Sequence, residues 1–352
     1  MAYIAIFSTA WLAVLLADHV RVLRRSLGLA LALVALLFAA LRGDSVDYDG
    51  YVDLYDVMLQ FDMPYPARLY LAKDALFSVM LDVIQFFGGG PQLMFVLMAL
   101  LSVGLKQRAF ARVFRGNTTA AWAVTLSLTF FMHDFTQSRT AVAVAMICLA
   151  LLAQQQGRRT AWFLWIWAGV GFHLSALLFL PLTAVHWLPA QQRTPALLAL
   201  VLLTCLVLAG SFELLGTVDL RVGAIADTTG ASFKSIALAV GKFAVLLLLA
   251  RSVERHPVSL ANQALVRPCL GLVLTGLAML ITLQGVSSVL AFRLYEMFDA
   301  FAVFIVAAAL MQRRALPVVL ALGYCVLGIV LQYLPDLYHM PYIWAPWRRW
   351  FG

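Results

Sequence analysis

Four polar clusters interrupt an otherwise apolar chain, and their residue types point to chemistry. The first is Asp44-Ser45-Val46-Asp47-Tyr48-Asp49-Gly50-Tyr51-Val52-Asp53-Leu54-Tyr55-Asp56, with five aspartates and three tyrosines in 13 residues. Asp49, Asp53 and Asp56 fall at i, i+4 and i+7, so a helix here carries an acidic face with a tyrosine stripe beside it. Carboxylates that bond hydroxyls and rings that pack on an apolar sugar face make this a sugar-binding candidate, with Tyr48, Tyr51 and Asp49 as its grips. The plainer alternative is a solvated helix beside the membrane with interfacial tyrosines. Its D-x-x-D spacing has no histidine nearby, so no metal is expected.

The second cluster, Met132-His133-Asp134-Phe135-Thr136-Gln137-Ser138-Arg139, reads as a tight turn entering an apolar helix headed by Arg139. A cation at a helix N-terminus opposes the macrodipole. A residue placed against that preference suggests anion binding; the alternative is an ion pair with Asp134 or snorkelling to headgroups. The third, Gly171-Phe172-His173-Leu174-Ser175, places His173 inside an apolar run, as a proton shuttle or as a hydrogen-bonded core histidine. The fourth is Phe292-Arg293-Leu294-Tyr295-Glu296-Met297-Phe298-Asp299. Arg293 and Glu296 are three apart and can share a helix face. They read as a cation for a pyrophosphate beside a carboxylate base, or simply as an internal ion pair. Arginine suits phosphate because its planar fork meets two oxygens at once.

These clusters must be positioned by membrane helices. The 352 residues are 63% hydrophobic and 12% charged, with a mean hydropathy of +0.91. That composition indicates an all-α polytopic integral membrane protein. Apolar segments are expected at 3–17, 26–41, 91–105, 119–132, 139–154, 160–187, 195–215, 234–250, 264–286, 294–311 and 316–333. Several are shorter than the ~20 residues of a straight span. With 74–87, that makes about 10–12 transmembrane or re-entrant helices. Segment 160–187 is expected to break near His173. Segment 74–87 carries Asp74 and Asp82 and ends at Gly88-Gly89-Gly90-Pro91. Two acids are costly in lipid and Gly-Pro clusters stop helices, so it reads as re-entrant or interfacial.

Charge sorting sets the orientation. Arg21, Arg24, Arg25, Lys106, Arg108, Arg112, Arg115, Arg158, Arg159, Arg193, Arg251, Arg255, Arg267, Arg313 and Arg314 fall on one side with only Asp18 and Glu254. The other side holds ten Lys+Arg and fifteen acids; the two net charges, +13 and −5, recover the overall +8. Basic ends are therefore expected in the cytoplasm, acidic ends outside, with 1–352 forming one membrane-embedded domain and 42–90 an external loop. The first helix, lacking a basic leader and a small-residue cleavage site, reads as retained.

The net positive charge reflects topology and not a nucleic-acid partner. The four cysteines, scattered through apolar runs, read as small buried hydrophobes. No Walker A, G-x-S-x-G, H-E-x-x-H or Rossmann fingerprint is present, which argues against nucleotide-driven transport within this chain. The tail Tyr338 to Trp350 reads as an interfacial anchor.

The order of these pieces resembles the EpsG family of bacterial exopolysaccharide proteins, often grouped with Wzy-type, O-antigen-like polymerases. The resemblance rests on Asp47-Tyr48 and Tyr51, Arg139-Thr-Ala-Val-Ala at a helix head, Gly157-Arg158-Arg159, Gly171-Phe172-His173-Leu-Ser-Ala-Leu-Leu, and Arg293-Leu-Tyr-Glu296, across roughly residues 40–300. The family usually reads Arg-Gln where this chain has Arg139-Thr140. The resemblance implies a glycosyltransferase at the periplasmic face of the inner membrane, with a GT-C-like architecture left open and no cofactor. Its substrate would be an oligosaccharide on undecaprenyl pyrophosphate, in a setting of membrane lipid and a chain-length-regulating co-polymerase. Arg139 and Arg293 would bind pyrophosphate, Glu296, Asp47 or His173 would act as base or proton carrier, and Tyr48, Tyr51, Asp49 and Tyr295 would hold sugar. Rival readings are another polyprenyl-linked-sugar glycosyltransferase or a glycan ligase, then a membrane O-acyltransferase using His173, then a flippase for the same lipid-linked sugars.

Overall fold

The computed structural model describes residues 2–20, 23–45, 47–60, 65–67, 74–216 and 233–329. The expected tail anchor, the end of segment 316–333 and most of a second expected outside segment, roughly 216–233, lie outside these. The described residues are helical, with no strand among them. Lipid offers the backbone no hydrogen bonds, so apolar segments of this kind satisfy their own N–H and C=O groups as helices. Among the described residues, six helices are long and apolar enough to cross a membrane: 91–113, 138–155, 191–208, 236–255, 260–283 and 288–311. The chain is thus an all-α polytopic membrane protein.

The contacts fall into two compact units, Met1–Leu177 with Cys325–Gly352, and Leu178–Tyr324. The first contains α1 (Ala2–His19), α2 (Arg24–Ala40), α3 (Tyr48–Gln60), α4 (Ala75–Phe86), α5 (Pro91–Val113), α6 (Thr119–Leu128), α7 (Ser138–Gln155) and α8 (Arg159–Phe172). At its centre is α7, where every residue from Thr140 to Gln154 is buried. A helix apolar all round belongs in an interior. Its alanines at 141, 143, 145, 150 and 153 let α5 and α8 approach closely, as small residues do between membrane helices.

Two features were expected and two were not. The run 160–187 does break at His173, whose extended backbone (φ −159°, ψ 113°) ends α8 before a 3-10 turn, Leu174–Leu178. Segment 74–87 forms α4, closed by Gly88 at φ 66° and by Gly88 and Gly89 N–H groups bonding back to Gln85 and Ile84. Glycine serves there because other residues resist the left-handed conformation. By contrast, the expected tight turn after segment 119–132 is a π-helical turn, Phe131–Thr136. Lys106, counted among the cytoplasmic topogenic charges, is buried.

The second unit contains α9 (Phe179–Ala184), α10 (Ala190–Gly216), α11 (Phe233–Arg255), α12 (Leu260–Leu283), α13 (Ser288–Asp299), α14 (Val303–Met311) and most of α15 (Ala315–Gly328). Here α12 packs against α10, α11, α13 and α14. The expected helix 294–311 starts earlier, at Ser288. The Ser287 hydroxyl accepts the Leu290 N–H at 3.3 Å as an N-cap. It is then interrupted by a 3-10 turn, Ala300–Ala302.

Candidate functional site

Folding α3 as a helix turns the two stripes of the acidic loop to opposite environments. Asp49 and Asp53 are exposed, whereas Tyr48, Tyr51 and Tyr55 enter a cluster with Phe77, Phe95 and Met94. Tyr48 is fully buried and stacked on Phe95 at 4.8 Å, and its hydroxyl donates to Gln92 Oε1 at 3.3 Å. That leaves its ring no exposed face for a sugar. Gln92 Nε2 in turn donates to the Ala40 carbonyl at 2.5 Å, tying α5 to the end of α2. Asp47 is half-buried just before the helix, its carbonyl accepting the Tyr51 N–H at 3.1 Å. Burial, then the charge of Asp53, pushes the Asp56 carboxyl above its usual range. Burial beside Asp56 does the same to the Tyr55 phenol.

Tyr51 leads to the head of α7. Its hydroxyl accepts the backbone N–H of Arg139 at 3.3 Å, satisfying one of the donors that a helix start leaves without an intrahelical partner. The Arg139 guanidinium sits 5.3 Å from the Tyr51 ring centre and 5.1 Å from that of Phe77, in an aromatic slot. Its Nη1 donates to Asp74 Oδ2 at 2.6 Å. The expected ion-pair alternative, Asp134, is engaged elsewhere. Asp74 Oδ1 accepts the N–H of Leu174 at 2.9 Å, immediately after the break at His173. The Arg139 side chain stays 24% exposed while that of Asp74 is 3% exposed. The half-buried His173 lies at this same junction. Glycine makes the junction possible: a Cβ on Gly171 would stand 2.5 Å from Leu76 Cγ and 3.1 Å from its Cβ, so α4 could not come this close.

Behind the slot lies a polar layer in the core. Lys106 Nζ meets Asp134 Oδ2 at 2.5 Å, and Ser102 donates to the other carboxylate oxygen. Arg42, 1% exposed, donates to the Asp134 carbonyl at 3.0 Å and to Ser138 Oγ at 2.6 Å, with its guanidinium 4.4 Å from the centre of Phe95. Arg42 thereby fixes Ser138, the residue before Arg139.

In the second unit, Tyr295 is buried and Glu296 half-buried on α13, while Arg293 is exposed. Asp299, at the end of α13, takes Lys242 Nζ at 2.8 Å and the Tyr324 hydroxyl at 2.9 Å. Among the described residues, no group of three or more His, Cys, Asp or Glu side chains is arranged to hold a metal ion.

The structure thus sets a partly exposed arginine between two aromatic rings at a buried helix head, beside an acidic loop and a broken helix. The sequence model of the EpsG family matches residues 26–344. The chain belongs to the EpsG family. No curated protein and no solved structure matches it. EpsG is a Wzy-like exopolysaccharide polymerase family, so polysaccharide polymerisation in a membrane is the role in general. In this EpsG chain, the sequence-expected residues brought together are Tyr51, Arg139 and the His173 break. Asp74, Arg42, Lys106 and Asp134 join them without having been singled out as site residues. Asp74 left a trace in the sequence as an acid that lipid would not tolerate, Asp134 as a possible partner for Arg139 and Lys106 as a topogenic charge.

Proposed function

We propose that this chain polymerises oligosaccharide units carried on undecaprenyl pyrophosphate at the periplasmic face of the bacterial inner membrane. The bond between the growing glycan's anomeric carbon and the pyrophosphate oxygen breaks. A bond to a hydroxyl of the incoming lipid-linked unit forms, and the hydroxyl proton passes to a base. The observation that supports this reading best is Arg139, partly exposed in its aromatic slot and oriented through Asp74. Departure of a diphosphate needs fixed positive charge where negative charge develops, and an arginine already oriented supplies it without rearrangement. His173 at the same junction is a candidate proton carrier, Asp47 a candidate base, and exposed Asp49 a candidate contact for sugar hydroxyls. Arg293 as a further phosphate cation, Glu296 as base and Tyr295 as a sugar contact are proposed on their chemistry alone.

The test is lipid-linked glycan profiling in cells producing this chain or its Arg139→Ala and Arg139→Lys variants, with membrane levels of each measured. Single repeat units on undecaprenyl pyrophosphate should accumulate and polymer should vanish with Arg139→Ala. Polymer of normal length would sink the assignment. An incomplete repeat unit in cells lacking the chain would favour the second reading, a transferase that adds one sugar to a polyprenyl-linked acceptor.

A further inference from the structure

Asp74 opens α4 from its N-cap position, with an extended backbone (φ −130°, ψ 107°). Aspartate is favoured at that position because its carboxylate caps its own helix. Here it makes no side-chain cap at all. Only its carbonyl serves the helix, accepting the N–H of Ser78 at 3.1 Å and the Ser78 hydroxyl at 3.0 Å. The carboxylate turns away, giving one oxygen to Arg139 at 2.6 Å and the other to the Leu174 N–H at 2.9 Å. One nearly buried group thus joins the start of α4, the head of α7 and the break after α8.

We infer that Asp74 is the positioning residue of the anion site: it sets the angle at which Arg139 presents its guanidinium and holds the His173 break beside it. The inference rests on the reading of Arg139 as an anion-binding residue. A structural counter-ion would need only one oxygen near the arginine. Two separate oxygens, each given to a different element, make the carboxylate a bracket that fixes a distance between them. The aromatic slot limits the guanidinium to a plane, and Asp74 fixes its rotation within that plane.

The experiment uses the full chain in lipid nanodiscs with Asp74→Asn, Asp74→Glu and Arg139→Gln variants. Two readouts are taken: amide hydrogen exchange of the peptide spanning 172–178, and affinity for farnesyl pyrophosphate as probe. Asp74→Asn should speed exchange at Leu174 while leaving peptides of the second unit unchanged, and should weaken probe binding about tenfold. Asp74→Glu, which keeps the charge, should recover most of the binding, and Arg139→Gln should abolish it. Unchanged exchange in Asp74→Asn would overturn the bracket. Faster exchange with probe binding equal to or tighter than that of the unsubstituted chain would overturn positioning, since Asp74 would then merely occupy the arginine. No probe binding by the unsubstituted chain would refute the anion-site reading itself and this inference with it. A loss confined to the variants separates the two.

Discussion

Lys106→Met should destabilise the first unit by about 3–5 kcal/mol, the usual cost of stranding a buried charge by removing its partner. The magnitude follows from the setting. The side chains of Lys106 and Asp134 are 5% and 0% exposed, with 2.5 Å between charged atoms. At an effective dielectric near 20, that separation gives a gross attraction of roughly 7 kcal/mol, largely offset by the desolvation of both ions. Methionine keeps the volume but leaves the Asp134 carboxylate with the Ser102 hydroxyl and no cation. The hydroxyl returns on the order of 1 kcal/mol. Asp134 belongs to the π turn that feeds α7, so the disturbance should reach Arg139 five residues on and lower polymer yield. The assay is unfolding in mixed micelles followed by far-UV circular dichroism, with Lys106→Met, Asp134→Asn and the double variant forming a cycle. The double variant should recover at least half of the loss, because no buried charge is then unmatched. A cost below about 1 kcal/mol for Lys106→Met alone, with normal polymer, would refute the reasoning. It would mean that the π turn is held without the ion pair.

Gly171→Val should separate α4 from α8, because even a Cβ there overlaps Leu76; overpacking of this kind costs about 1–3 kcal/mol, and protease sensitivity of the 74–90 region together with polymer yield would report it. Asp56→Asn should stabilise α3 at neutral pH but not in acid. The folded-state pKa of Asp56 is raised above its ordinary 3.8, so the native state binds more protons there and loses stability as pH rises from about that value through the raised one. Hydrogen exchange of peptides from α3 at pH 7 and pH 3 would check it, and equal protection of both proteins at pH 7 would count against the buried-acid account.

Much of the fold is legible in the sequence because hydropathy is a local property. The segments around 91–105, 139–154, 234–250 and 264–286 need nothing beyond apolar length, and the His173 break falls where a Gly-Phe-His run interrupts an apolar segment too long for one span. The stripes of α3 follow from helical spacing. Partners do not follow from it. Asp74 and Arg139 stand 65 residues apart, Lys106 and Asp134 28, and Lys242 and Asp299 57. No periodicity links such positions. Charge counting by side treated Lys106 as one more cytoplasmic cation, since the positive-inside rule sums loops and cannot tell a solvated lysine from a buried one. Tyr48 fails for a related reason: a stripe of tyrosines looks the same whether it faces water, a sugar or Phe95.

Among the described residues, the ion pairs Lys106–Asp134, Arg139–Asp74 and Lys242–Asp299, unlike the exposed Arg267–Glu254 pair, share one circumstance that explains where they sit. Asp134 lies in the π turn before α7, Asp74 binds the first N–H after the break of α8, and Asp299 ends α13 where the 3-10 turn begins. A helix interrupted inside an apolar bundle leaves N–H and C=O groups that its neighbours cannot satisfy, and a carboxylate buried there needs donors that apolar side chains cannot supply. Placing the two deficits together lets each meet the other's need, as the Leu174 N–H and Asp74 show directly. Such a junction also holds the polar atoms at defined angles, because packed helices on either side restrict them. Polar chemistry on a lipid-borne substrate needs that combination of charge, burial and rigidity. The Lys242–Asp299–Tyr324 junction of the second unit has the same construction without Arg139's partial exposure: Lys242, Asp299 and Tyr324 are each 4% exposed or less. Exposure separates the two kinds of junction: the buried ones hold bent helices in place, and the partly open one at Arg139 is the one that the proposed function assigns to a phosphate.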